Sequence, residues 1–145
     1  MALRVAHRLR GQVRRWLKPN LSGVSLIAID GEGRVLLVRH SYGSGAWSLP
    51  GGGLKRNEDP EAGMRRETRE ELGCELLVLE PLAPFGETLS GAPHVAYLFV
   101  GQLAGQPLPD GREILEARFF ALDALPAPMG RVAMKRIDHF RLAQG

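Results

Sequence analysis

The sequence predicts one mixed α/β domain, with a sheet packed between helices. Three observations predict it. The 145 residues suffice for one domain with a real core and are too few for two ordinary ones. Hydrophobic residues make up 44% and charged residues 24%, a globular composition. Short segments rich in β-branched, leucine or aromatic residues recur along the chain, with two or three stretches of helical character between them.

The first helical stretch is an N-terminal arm. Val5, Leu9, Val13 and Trp16 fall at three- to four-residue spacing, and the pattern ends near Pro19-Asn20. Residues 1–18 carry six basic side chains (Arg4, Arg8, Arg10, Arg14, Arg15, Lys18) and no acidic one. The rest of the chain holds 13 basic against 16 acidic residues, so the net charge of +3 resides in the arm and not in the body. Such an arm could pack on its own domain or on a partner subunit, lie on an anionic membrane, or bind nucleic acid. A homodimer and a nucleic-acid partner therefore stay open. The domain proper is expected over residues 19–145.

Residues 21–30, "LSGVSLIAID", read as a strand, and "GEG" at 31–33 as a tight turn; "RVLLVRH" at 34–40 reads as the hairpin partner. "SYGSG" is a loop, and "AWSLP" a short strand that enters the glycine cluster at 51–53. Residues 75–80, 94–101 and 115–121 are further strands, 105–111 a loop, and 130–143 a closing helix. No apolar run reaches membrane-spanning length, and no secretory signal pattern is evident. The single cysteine, Cys74, fits a reducing compartment, so a cytoplasmic location is expected.

The central helix carries the chemistry. In "NEDPEAGMRRETREELG", Asp59 can cap, Pro60 suits the first helical position, and Gly73 is a natural stop. Met64, Thr68 and Leu72 form the stripe expected to face the core. Glu67, Glu70 and Glu71 crowd another side, where like charges at this spacing destabilise a helix by a few tenths of a kcal/mol per pair, about 0.2–0.5. A hard divalent cation would remove that penalty, since Mg²⁺ takes carboxylate, water and phosphate oxygens. Gly51, Gly52 and Gly53 precede the helix and would let a ligand approach the backbone closely.

Gly52, Glu58, Arg66, Glu67, Glu70, Glu71 and Gly73 together resemble the signature of the Nudix hydrolase family, and they meet every fixed position of its pattern over residues 52–74. Thr68 and Cys74 replace the more usual aliphatic residues. The resemblance implies the Nudix fold, an α/β/α sandwich with a mixed central sheet. It also implies Mg²⁺-dependent hydrolysis, with Mn²⁺ as a substitute, of a nucleoside diphosphate linked to another moiety. Within that reading Glu67, Glu70 and Glu71 hold the metal, Gly51–Gly53 form the phosphate loop, and Arg66 pairs with Glu58 to fix that loop. Glu113 matches a place where some members supply a further metal ligand or the general base; a box glutamate, or less readily Glu116, is the alternative. Arg39, His40, Tyr42 and Lys55 are expected near the substrate. A non-catalytic nucleotide- or RNA-binding module on the same scaffold is the competing reading.

Overall fold

A computed structural model describes residues 22–89 and 92–144; the basic arm falls outside them. The chain runs through β1 (Ser22–Ala28), β2 (Val35–His40), β3 (Trp47–Ser48), β4 (Gly51–Gly53), helix α1 (Pro60–Leu72), β5 (Leu76–Leu89), β6 (Ala92–Leu103), β7 (Ile114–Phe120) and helix α2 (Arg131–Gln144). Two sheets result, one in the order β4-β1-β6-β5 and one in the order β3-β2-β7. The first is mixed, because β1 runs parallel to β6 and antiparallel to β4.

Alternation along the strands sorts the core into two layers. Val24, Leu26, Ala28, Leu36, Val38, Phe99 and Ile114 pack with Met64 and Leu72 of α1. Ile27, Val35, Leu37, Trp47 and Leu98 pack with Ala133, Ile137 and Phe140 of α2. The strands are thus buried on both sides, with one helix on each: the expected α/β/α sandwich. Met64, Thr68 and Leu72 are fully buried, and the Thr68 hydroxyl donates to the Met64 carbonyl at 2.8 Å, which satisfies it inside an apolar layer.

Three local expectations are corrected. β1 and β2 do not form a hairpin; a single bridge between Ile29 and Val35 joins them. The reason is that β1 has β4 on one edge and β6 on the other, so β2 has no edge to pair with and turns into the second sheet. The turn itself forms, held by the Asp30 carboxylate, which accepts from the Glu32 and Arg34 amides and from Arg34 Nε. The glycine cluster is a short edge strand rather than a loop. Gly51 sits at φ 150°, and a Cβ there would meet the Val24 carbonyl oxygen at 2.0 Å, so the residue permits close strand contact. Finally, β5 extends far beyond residue 80 despite Pro81 and Pro84. It lies at the sheet's edge and bulges between Pro81 and Ala83, the two circumstances in which a strand tolerates proline.

Candidate active site

Helix α1 is set in place by its caps. The Asp59 carboxylate accepts from the Ala62 amide at 3.0 Å, and Gly73 closes the helix in the left-handed conformation at φ 63°. Within its first turn Gly63 leaves the space that Leu54 and the Glu58 carboxylate fill; an added Cβ would lie 2.2 Å from Leu54 Cδ2. Glu58 is thereby brought against the helix eight residues before Arg66.

Arg66 is the hub. Its Nε donates to Glu58 Oε2 at 2.7 Å and its Nη2 to Glu58 Oε1 at 2.9 Å, a two-pronged pairing, and Nη2 also donates to the Gly53 carbonyl at 3.2 Å. Its Nη1 donates to Glu67 Oε1 at 3.0 Å and to Glu70 Oε2 at 3.2 Å. One guanidinium therefore ties the strand β4, the loop carboxylate and two helix carboxylates together. Glu71, only 2% exposed, turns the other way and accepts from the Gly51 amide at 2.8 Å. The crowding of negative charge read from the sequence is met by Arg66 and by the β4 backbone.

The Arg66 hydrogen bond, with the Lys55 amide in support, holds the Glu58 carboxyl below its ordinary value near 4.5 against the opposing effect of burial. Glu58 in turn pushes the Arg66 guanidinium further up. A carboxyl lowered by folding stabilises the fold fully above its unfolded pKa, and that contribution is lost as the pH falls through the folded value. The stability gap between wild type and Glu58→Gln, measured by denaturant unfolding, should be widest above about pH 4.5 and narrow on acidification. A gap that does not narrow would contradict the pairing.

The remaining site candidates divide. Glu113 is buried just before β7, where its amide donates to Asp110 and its carbonyl accepts from the Ser41 amide at 2.8 Å. Its neighbour Ile114 pairs with His40 and belongs to the α1 core layer. His40 and Tyr42 meet at the same end of β2, with ring centroids 4.9 Å apart and planes tilted by 40°. Lys55 is exposed, and its amide donates to Glu58 at 2.9 Å. Arg39 is not brought to the box. It points to the α2 face, lies over the Trp47 ring at 5.3 Å from the centroid, and pairs with Glu116 across the strand register. Arg39 of β2 and Glu116 of β7 thus serve each other across the sheet. Arg39→Ala should leave turnover within about twofold of wild type and cost less than about 1 kcal/mol of stability; a large loss of turnover in a folded variant would return Arg39 to the site.

Sequence reasoning passed over Tyr97, which stands in the row Gly52, Val24, Tyr97 on the α1 face of the sheet, half-buried against that core layer. Only strand register reveals this row. The Cys74 thiol is half-buried, and burial and the adjacent Glu75 charge push it up, which keeps it a poor nucleophile.

A divalent ion was expected on three converging carboxylates. Among the described residues, no group of three acidic, histidine or cysteine side chains lies close enough to cage a metal as it stands. Glu71 accepts from the Gly51 amide, whereas Glu67 and Glu70 meet at one nitrogen. The donor set still fits Mg²⁺. Two carboxylate oxygens already share one positive charge, and Mg²⁺ is ordinarily held by one or two carboxylates completed by water and substrate phosphates.

The profile of the NUDIX domain matches residues 19–140. The chain belongs to the Nudix family. Its Nudix box is the Glu58–Arg66–Glu67–Glu70–Glu71 assembly described above. An RNA pyrophosphohydrolase of Teredinibacter turnerae is 42% identical over 66 residues, 46% of this chain and 37% of that one. The NAD-capped RNA hydrolase NudC of Pseudomonas aeruginosa is 33% identical over 113 residues, covering 74% of this chain and 39% of that one. This Nudix chain thus spans well under half the length of either curated relative. Among solved structures, the MutT Nudix hydrolase of Burkholderia pseudomallei superposes with a TM-score of 0.74 at 26% identity, covering 83% of this chain and 97% of the other. The Nudix domain of Shewanella oneidensis NrtR, solved with ADP ribose, shares the fold at a TM-score of 0.70 and 21% identity, over 97% and 98% of the two chains. No helix among the described residues is long and apolar enough to cross a membrane.

Proposed function

We propose that the chain is a cytoplasmic, Mg²⁺-dependent pyrophosphohydrolase that cleaves the diphosphate of a nucleoside diphosphate linked to another moiety by water attack at phosphorus. The observation that carries the reading is the meeting of Glu67 and Glu70 at one cationic nitrogen, beside a glycine strand pinned by Glu71. Bound Mg²⁺ would neutralise phosphate charge and acidify a water. Glu67 and Glu70 would hold it, with Glu71 fixing Gly51 next to the phosphates. Arg66 and Glu58 lock β4 to α1, so the phosphate-facing backbone cannot drift from the carboxylates. Glu113, buried at the end shared by β2 and β7, and the box glutamates are the candidates for proton acceptor. His40, Tyr42 and Lys55 are the candidates to contact the rest of the substrate.

The names of the two curated relatives favour the 5′ end of an RNA as the first substrate to try. The competing reading is a binding module without hydrolysis, and the same Arg66 contacts favour it, because an internal cation lets the carboxylates persist without metal. Phosphate or nucleotide release decides between them. It would be measured over nucleoside diphosphate derivatives and 5′-triphosphorylated or NAD-capped RNA, with Mg²⁺ and with EDTA. The hydrolase reading expects release that EDTA abolishes; tight binding with no release on any substrate would establish the module.

A further inference from the structure

Arg66 meets its partners unequally. Two of its nitrogens, Nε and Nη2, are anchored on Glu58 and on the Gly53 carbonyl, neither of which belongs to the helix's acidic flank. The third, Nη1, holds Glu67 and Glu70 at 3.0 and 3.2 Å, longer than the two contacts to Glu58 at 2.7 and 2.9 Å. The guanidinium is planar and rigid, so the first pair of contacts positions it whether or not the second pair is made. Those two glutamates are the ones proposed above to take Mg²⁺, and the inference rests on that proposal.

From this geometry we infer that Arg66 is an exchangeable counter-cation for the metal site. In the metal-free protein its Nη1 neutralises Glu67 and Glu70. When a divalent ion arrives the two carboxylates turn to it, while Nε and Nη2 stay on Glu58. The electrostatics require a compensation of this kind. Glu67 and Glu70 are side chains only 10% and 21% exposed, and two such carboxylates one turn apart repel each other strongly when little water screens them. The same positive charge then opposes the incoming ion, so the free protein binds metal weakly. A pyrophosphate brings negative charge to the site and offsets that opposition, which couples metal binding to substrate. An arginine held only for structure would contribute to stability and leave metal affinity unchanged or lower it on removal. Removing a counter-cation raises metal affinity instead.

Two measurements on the full chain without substrate test this. Mn²⁺ binding followed by electron paramagnetic resonance should tighten about tenfold in Arg66→Gln, the scale of one charge-assisted hydrogen bond no longer in competition. Thermal stability without metal should fall in the same variant. Arg66→Gln risks failing to fold, so the second measurement uses wild type: side-chain nitrogen NMR of arginine during a Mg²⁺ titration. The Arg66 Nη1 signal should shift and its protons exchange faster with ion saturation, while the Nε signal stays protected. Unchanged Nη1 signals at saturating Mg²⁺, or weaker Mn²⁺ binding in a folded Arg66→Gln, would overturn the exchange and leave the hydrolase reading standing. Wild type that takes up no divalent ion would overturn both.

Discussion

Replacing Glu70 with glutamine should lower turnover by at least about two orders of magnitude, the scale of losing a principal electrostatic contributor at a reacting centre, while the protein stays folded. The asymmetry between the two effects comes from where Glu70 sits. It is the least buried of the three box glutamates, and it accepts from Arg66 Nη1 at 3.2 Å. Arg66 keeps its two contacts to Glu58 and one to Gly53 without it. Glutamine has the same shape, and its carbonyl oxygen can still accept from the arginine. What it lacks is the charge that a divalent cation needs. Steady-state phosphate release at saturating Mg²⁺, with circular dichroism as the control for folding, checks the prediction. Turnover near that of wild type would remove Glu70 from the chemistry.

Gly51→Ala should be the most destabilising single-methyl change at the site, by roughly 3 kcal/mol, the upper range for overpacking combined with backbone strain. The added carbon would fall 2.0 Å from the Val24 carbonyl oxygen and 3.0 Å from Ser25 Cα, both backbone atoms that cannot swing aside. The residue also sits at φ 150°, which alanine rarely adopts. Relief requires β4 to move away from β1, and that movement would carry the Gly51 amide away from Glu71. Activity should therefore fall along with stability, and denaturant unfolding and turnover measured on one preparation would show both losses. Gly63→Ala makes a useful comparison. Its closest clash, at 2.2 Å, is with the end of the Leu54 side chain, which can rotate, so the cost should be smaller. Equal stability of Gly51→Ala and wild type would mean that β4 does not pack as described.

The central helix was legible because its signals are local. A cap, a stop, an apolar stripe and a charged flank all fall within seventeen consecutive residues, from Asn57 to Gly73, and helix periodicity turns their spacing into faces. The fates of β1 and β2 were not legible, since two strand-like segments around a tight turn look like a hairpin until β4 and β6 occupy both edges of β1. Arg39 and His40 illustrate the same limit at the site. They are adjacent in the chain, yet alternation and a bulge between them direct Arg39 to Trp47 and Glu116 on the α2 face and leave His40 beside Tyr42. Sequence also suggested that three carboxylates would share one ion. It could not show that Gly51 would engage Glu71, because that contact spans 20 residues and depends on β4 being a strand.

Crystals soaked in Mn²⁺ and measured at the manganese absorption edge test the central claim most directly. The account predicts an anomalous peak bonded to carboxylate oxygens of Glu67 and Glu70 on the flank of α1, facing the glycine strand. A Mn²⁺ ion bound elsewhere in an active enzyme, with Glu67 and Glu70 still on Arg66, would contradict it.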